Sequence, residues 1–242
     1  MELELIENLE VSAVGLAFPF IWLFCFWINT ILARYFIIYK PYGVLTQFTG
    51  EEPTLASLGN FPEEVYPIGR LDKDSEGLLL ITDDKWLNHH LLNPRFGHQR
   101  TYYVQVEGTP TAQSMQQLRN GVTIKVDGNK YFTKPTIARI LQPAPTLPER
   151  NPPIRYRAAI PDTWIELTLI EGKNRQVRKM TAAVGFPTLR LVRYSMEKIT
   201  ISGMEVGEIR ELDQETVYRA LGLTGFMKTQ SPRQLGKTPR RS

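Results

Sequence analysis

Hydrophobic and polar positions along this chain fall into short stretches of two different periods, separated by proline, glycine and clusters of charge. Tyr35–Tyr39 (YFIIY) reads as a short buried strand of aromatic and β-branched residues, stopped by Pro41 and Gly43. Leu78–Ile81 is a second apolar run of strand character, while Thr101–Val106 (TYYVQV) and Trp164–Ile170 (WIELTLI) alternate with the period of two that a strand requires. Shorter strands fit Val122–Val126 and Tyr131–Thr133. Helical spacing appears at Trp86–Leu92, opened by the capping residues Asp83-Asp84 and closed by Pro94. It appears again at Ala112–Arg119, which ends at Gly121, and at Arg175–Val184, with Gly185 as its stop.

Strands therefore outnumber helices and mix with them without a regular βαβ alternation, which predicts an α+β fold. Residues 143–153 hold five prolines and read as an exposed loop. No internal repeat is evident. From Lys228 to Ser242 the chain carries five basic residues and no acidic one, the pattern of a disordered electrostatic arm. At the other end, Val11–Ala33 has no charged residue and is long enough for a bilayer-spanning helix, with Arg34 and Lys40 just beyond it to hold that side in the cytoplasm. A second reading makes this segment upstream sequence joined to a domain that starts near Arg34. The expected organisation is an apolar segment over 1–33, a catalytic domain over 34–222 and a basic tail over 223–242.

Composition narrows the function. With 42% hydrophobic and 22% charged residues over 242 positions, the chain can bury a sizeable core, which excludes disulfide scaffolds and wholesale disorder. Cys25 is the single cysteine, and His89, His90 and His98 are the only histidines, a poor ligand set for a structural metal. The net charge of +4 is unevenly spread. Residues 1–33 hold four glutamates and no Lys or Arg, so the remainder sets 29 basic residues against 21 acidic ones, a net charge of +8 that suits a polyanionic partner such as nucleic acid.

The densest chemistry lies in Tyr66–Asp84, YPIGRLDKDSEGLLLITDD, where a charged cluster is held between apolar elements. Carboxylates so placed need partners to offset their desolvation. Asp72, Asp74, Glu76, Gly77 and Asp83 fall near the positions of a calcium loop, but Pro67 and Gly69 break the entering helix and Leu80 stands where an oxygen ligand is needed. Gly172-Lys173 is no phosphate-binding Walker loop either, since Asn174 follows the lysine and Leu167 replaces the first glycine.

Four separated blocks carry a family resemblance. They are Lys40-Pro41 with Gly43-Val44-Leu45; Gly69-Arg70-Leu71-Asp72 with Ser75-Glu76-Gly77-Leu78-Leu79-Leu80-Ile81-Thr82; Arg100-Thr101-Tyr102; and Glu171-Gly172-Lys173-Asn174-Arg175-Gln176-Val177-Arg178-Lys179-Met180. In this order, from Arg34 to about Leu221, the chain resembles the RsuA/RluE-type pseudouridine synthases, and its lack of a basic helical module before Arg34 resembles the shorter subgroup acting on large-subunit ribosomal RNA. The resemblance implies a mixed, largely antiparallel sheet in two halves with flanking helices and a central RNA-binding cleft. It implies isomerisation of a uridine in RNA without cofactor or metal, by a cytoplasmic monomer. It assigns the nucleophile to Asp72, the place left in the base stack to Arg70, packing on the base to Tyr102 and pairing with Asp72 to Lys173. Lys40, Arg100, Arg175, Arg178 and Lys179 are the remaining expected RNA contacts.

The residue types suit that chemistry in their own right. Converting an N-glycoside to a C-glycoside breaks the bond at C1′, turns the uracil, rejoins it through C5 and removes the C5 proton. A carboxylate can attack C1′ or take a proton at C2′, and a neighbouring cation, a service that either Lys173 or Arg178 could supply, keeps it charged for either. A planar cation can replace a flipped base in the stack, although Arg70 taken alone equally suits a phosphate contact or a local salt bridge. Tyr102 taken alone equally suits the core. Two other functions remain open to the sequence: a non-catalytic RNA-binding or ribosome-assembly protein on the same fold, which would have no use for Asp72, and a membrane-tethered adaptor, which rests on Val11–Ala33 alone.

Overall fold

The computed structural model describes residues 33–154 and 160–229. The apolar run 11–33, apart from Ala33, and the basic tail from 230 lie outside the described residues. No described helix is long and apolar enough to cross a membrane.

The fold is α+β. Nine strands form one sheet in the order β11-β1-β3-β9-β4-β8-β7, with β2 beside β3 and β10 beside β9. These strands are β1 (Tyr35–Lys40), β2 (Tyr66–Pro67), β3 (Glu76–Thr82), β4 (Arg100–Glu107), β7 (Ile137–Ile140), β8 (Asp162–Leu169), β9 (Thr188–Met196), β10 (Ile199–Thr200) and β11 (Ile209–Leu212). Strands β5 (Thr123–Val126) and β6 (Asn129–Phe132) make a separate hairpin. Four described helices flank them: α1 (Lys85–Leu92), α2 (Ala112–Asn120), α3 (Gln176–Ala183) and α4 (Gln214–Ala220).

Every pairing is antiparallel except β3 with β9, whose parallel register is only Glu76↔Val192 and Gly77↔Arg193. That short seam divides the sheet into two halves, each with its own apolar core. Phe36, Ile38, Leu55, Leu79 and Ile81 pack one half. Val104, Met115, Leu118, Ile165, Met180 and Leu191 pack the other. Gly77 permits the seam, because a Cβ there would stand 2.3 Å from the Arg193 carbonyl oxygen and its φ of 108° disfavours any other residue.

Strand β9 is not evident from the sequence pattern, and its composition explains why. Arg190 and Arg193 interrupt its apolar alternation, yet both are buried. Arg190 forms a bidentate pair with Glu76 at 2.9 and 2.7 Å, and Arg193 Nε donates to the Leu78 carbonyl at 2.7 Å. The arginines thus tie β9 to β3 across the seam. Arg190 also donates to the Pro148 carbonyl at 2.9 Å, anchoring the proline-rich loop. The folded part continues past the expected boundary at 222: a 3-10 turn covers Thr224–Thr229, and Phe226 lies 5.2 Å from Trp86 of α1 between ring centroids.

Candidate active site

A cavity of about 630 Å³ opens at the seam, with walls from both halves of the sheet. Its lining includes Arg70, Asp72, Arg100, Tyr102, Lys173 and Arg175, so residues separated by more than a hundred positions in the chain converge on one space.

Asp72 lies in the loop between β2 and β3, half-buried. Thr46 clamps that loop: its hydroxyl donates to the Leu71 carbonyl at 2.7 Å and accepts from the Leu71 N–H at 3.2 Å. The Ser75 N–H donates to the Asp72 carbonyl at 3.0 Å, closing a turn that leads directly into β3. Asp72 is therefore held by a rigid edge of the sheet. Arg70, two residues earlier, is exposed at the cavity wall.

The opposing wall is the segment before α3. Glu171 is buried and accepts from Tyr131 Oη at 2.5 Å, Gln176 Nε2 at 2.6 Å and the Lys134 N–H at 2.9 Å. The hydrogen bond to Glu171, first, and burial, second, raise the Tyr131 pKa. Gln176 Oε1 in turn accepts from the Lys173 N–H at 2.9 Å. Glu171 and Gln176 therefore shape the loop that carries the cations.

Arg175 caps α3 in the left-handed conformation, φ 53° and ψ 35°, a strained position for a residue with a side chain. Its guanidinium grips both oxygens of Asp74 at 2.8 Å and stands 3.7 Å from Asp72. Arg178 donates to the Asp74 carbonyl at 2.6 Å. Burial alone would raise the Asp74 pKa, but the hydrogen bonds from Arg175 and the charges of Arg178 and Arg175 hold it below the ordinary value.

This arrangement corrects two expectations. The cation paired with Asp72 is Arg175, whereas the Lys173 ammonium lies 4.9 Å over the Tyr131 ring. The reason is the backbone turn at Arg175, which sends that side chain across to the Asp72–Asp74 loop. Lys40 is fully buried and so cannot reach RNA; its ammonium donates to the carbonyls of Pro41 at 2.8 Å and Val44 at 2.7 Å. Burial lowers its pKa to about 8 against the opposing pull of Glu76 and Asp74.

The other expected contacts divide. Arg100 is in the wall, though its guanidinium donates to the carbonyls of Leu91 at 2.7 Å and His98 at 3.3 Å. Tyr102 is half-buried in β4, opposite Arg193 and beside a register shift that follows Thr101. Arg178 is spent on Asp74, and Lys179 is half-buried on α3 outside the cavity wall. Sequence reasoning missed Thr46 and Arg193, both in the lining. Thr46 carries no local signal, because its partner is 25 residues away. Arg193 was hidden inside an unrecognised strand.

No group of three or more His, Cys, Asp or Glu among the described residues is arranged to hold a metal ion. His90 and His98 are engaged with each other at 2.8 Å.

Comparison with known proteins agrees with the four sequence blocks. The family model described as RNA pseudouridylate synthase matches residues 34–183. The chain is 51% identical over 177 residues to ribosomal large subunit pseudouridine synthase E of Vibrio vulnificus, covering 73% of this chain and 74% of that protein. It is 52% identical over 163 residues to the protein of the same name from Xanthomonas axonopodis, covering 66% and 84%. A solved structure titled "Crystal structure of pseudouridylate synthase" superposes with a TM-score of 0.65 at 27% identity, covering 78% of this chain and 74% of that one.

Proposed function

The chain belongs to the RNA pseudouridylate synthase family and is an isomerase, and from that premise we propose that it converts a uridine of large-subunit ribosomal RNA to pseudouridine, with Asp72 as the reacting carboxylate. The two relatives named above carry the large ribosomal subunit in their names, and the alignment covers about three quarters of the Vibrio protein. The single observation that carries the residue assignment is Asp72 itself: a half-exposed carboxylate in a cation-rimmed cavity, clamped by Thr46 and accompanied by Arg175 at 3.7 Å. A protein that only bound RNA would gain nothing from an acid facing a polyanion.

In this reading the target uridine leaves its stack and enters the cavity, and Arg70 at the rim takes the place it vacates. Asp72 attacks C1′ or removes a proton at C2′; either step breaks the C1′–N1 bond and frees the uracil, and the Asp72–C1′ bond breaks, or the C2′ proton is returned, when C5 bonds to C1′. The Tyr102 ring supports the detached base while it turns to present C5 to the sugar. After the new carbon–carbon bond forms, the C5 proton must leave, and the Tyr102 phenol is the group we assign to that transfer. Arg175 stands 3.7 Å from the Asp72 carboxylate and offers it a positive partner, while Lys173 and Arg100 face the flanking phosphates. The reaction moves no electron to or from an external acceptor, so it calls for no redox cofactor; the same reading has the enzyme act as a monomer in the cytoplasm.

Asp72→Asn tests this. The amide is nearly isosteric but can neither attack nor take the proton, so pseudouridine formation in large-subunit ribosomal RNA should vanish while binding to that RNA stays within about twofold. Turnover by a folded Asp72→Asn protein would remove Asp72 from the reaction.

A further inference from the structure

The β5–β6 hairpin has two unlike faces. Its inner face places Ile124, Val126 and Tyr131 against the core of one half. The pairing Lys125↔Lys130 and Thr123↔Phe132 sets these four residues together on the outer face, because side chains alternate along each strand. Lys125 and Lys130 are exposed, and Phe132 is 63% exposed.

Such a face is unfavourable for the folded protein alone. Like charges directly opposite each other on a two-stranded ribbon repel, and neither lysine has a carboxylate partner among the described residues. An exposed phenyl ring gains nothing from water. Both features become favourable against a polyanion with flat bases, where ammonium groups meet phosphates and an aromatic face receives an unstacked base.

The hairpin is also continuous with the cavity. Tyr131, on its inner face, donates to Glu171, and the Lys173 ammonium rests over the Tyr131 ring. Glu171 additionally fixes the Lys134 N–H just past β6. The hairpin is thereby fastened to the segment that forms the cation-bearing wall.

We propose that the outer face of the β5–β6 hairpin, through Lys125, Lys130 and Phe132, is a second RNA-docking surface that grips the substrate beside the flipped uridine. This inference rests on the proposed RNA substrate and adds the element that sets affinity outside the cavity. None of the three residues touches the reacting atoms, so they govern binding and leave the chemical step alone.

The test is steady-state pseudouridine formation in deproteinised large-subunit ribosomal RNA by the full-length wild type, the Lys125→Glu/Lys130→Glu double variant and Phe132→Ala, each at several salt concentrations. The double variant should raise KM about tenfold or more with kcat unchanged, and should reduce the dependence of log affinity on log salt by about 1.4, the effect of two lost phosphate contacts on single-stranded RNA. Phe132→Ala should raise KM about fivefold, as loss of one stacked base would. All three residues are exposed, and matching thermal midpoints will establish that the variants fold. If the wild type is active and the variants share its KM and salt slope, the hairpin proposal is overturned while the proposed function stands. If the wild type forms no pseudouridine in this RNA, the proposed substrate fails and the inference falls with it. A fall in kcat alone would assign the hairpin to positioning of the cavity wall and overturn its docking role.

Discussion

Lys40 ends β1 with no exposure to water, and its ammonium is satisfied by two carbonyl oxygens in place of a carboxylate. Burial sets its folded pKa at about 8, against roughly 10.4 for lysine in an unfolded chain. Between these values the unfolded chain binds a proton that the folded protein has released, so the contribution of Lys40 to stability grows as pH rises through that window. Urea unfolding of the wild type should show a gain of about 1 kcal/mol from this source between pH 8 and pH 9, below the range near pH 10 where the tyrosines of the unfolded chain ionise. Lys40→Met should lack that gain while leaving two carbonyls unpaired. Parallel pH profiles for the two proteins would contradict the assignment. The sequence offered no means of separating this lysine from one that faces RNA, because its burial is imposed by β3 and β11 on either side of β1.

Helix α1 shows how one side chain organises an element and its neighbours. Asp84 Oδ1 accepts the Leu87 N–H at 2.9 Å, the N-cap contact expected from the sequence. Its Oδ2 accepts two tyrosine hydroxyls, Tyr35 of β1 and Tyr218 of α4, each at 2.7 Å. Burial, then the hydrogen bond to Asp84, raises the pKa of both phenols. Asp84→Ala removes a cap worth about 1 kcal/mol and leaves two buried hydroxyls unpaired at about 1 kcal/mol or more each. Chemical denaturation should register a loss of about 3 kcal/mol, with kcat unchanged below the unfolding transition, since Asp84 is outside the cavity wall. A loss under 1 kcal/mol would mean that water replaces the carboxylate. The cap was legible because its partner is three residues away. The tyrosines were not, being 49 and 134 residues distant.

At the scale of the whole molecule, every block of the family match begins at or after Arg34. Arg34 is fastened to the sheet: its N–H donates to Asp83 at 2.8 Å, and its guanidinium pairs with Glu211 at 2.8 and 2.9 Å. A chain shortened to begin at Arg34 should therefore fold with a wild-type thermal midpoint and retain pseudouridine formation; aggregation of the shortened chain would instead place residues before Arg34 in the core. The sequence by itself determined the short-range features of this protein. Apolar periodicity marked β1, β3, β4 and β8, residues within one helical turn marked the cap of α1, and the ordered blocks around Asp72, Tyr102 and Lys173 identified the family. These signals depend on neighbours a few positions apart. Tertiary structure alone decided that Arg175 and not Lys173 accompanies Asp72, that Thr46 steadies the Asp72 loop, that β9 with its buried arginines joins the halves, and that Lys40 is sealed from RNA. Each of these follows from which distant segment lies alongside, and desolvation and reach, unlike periodicity, are set by that neighbour.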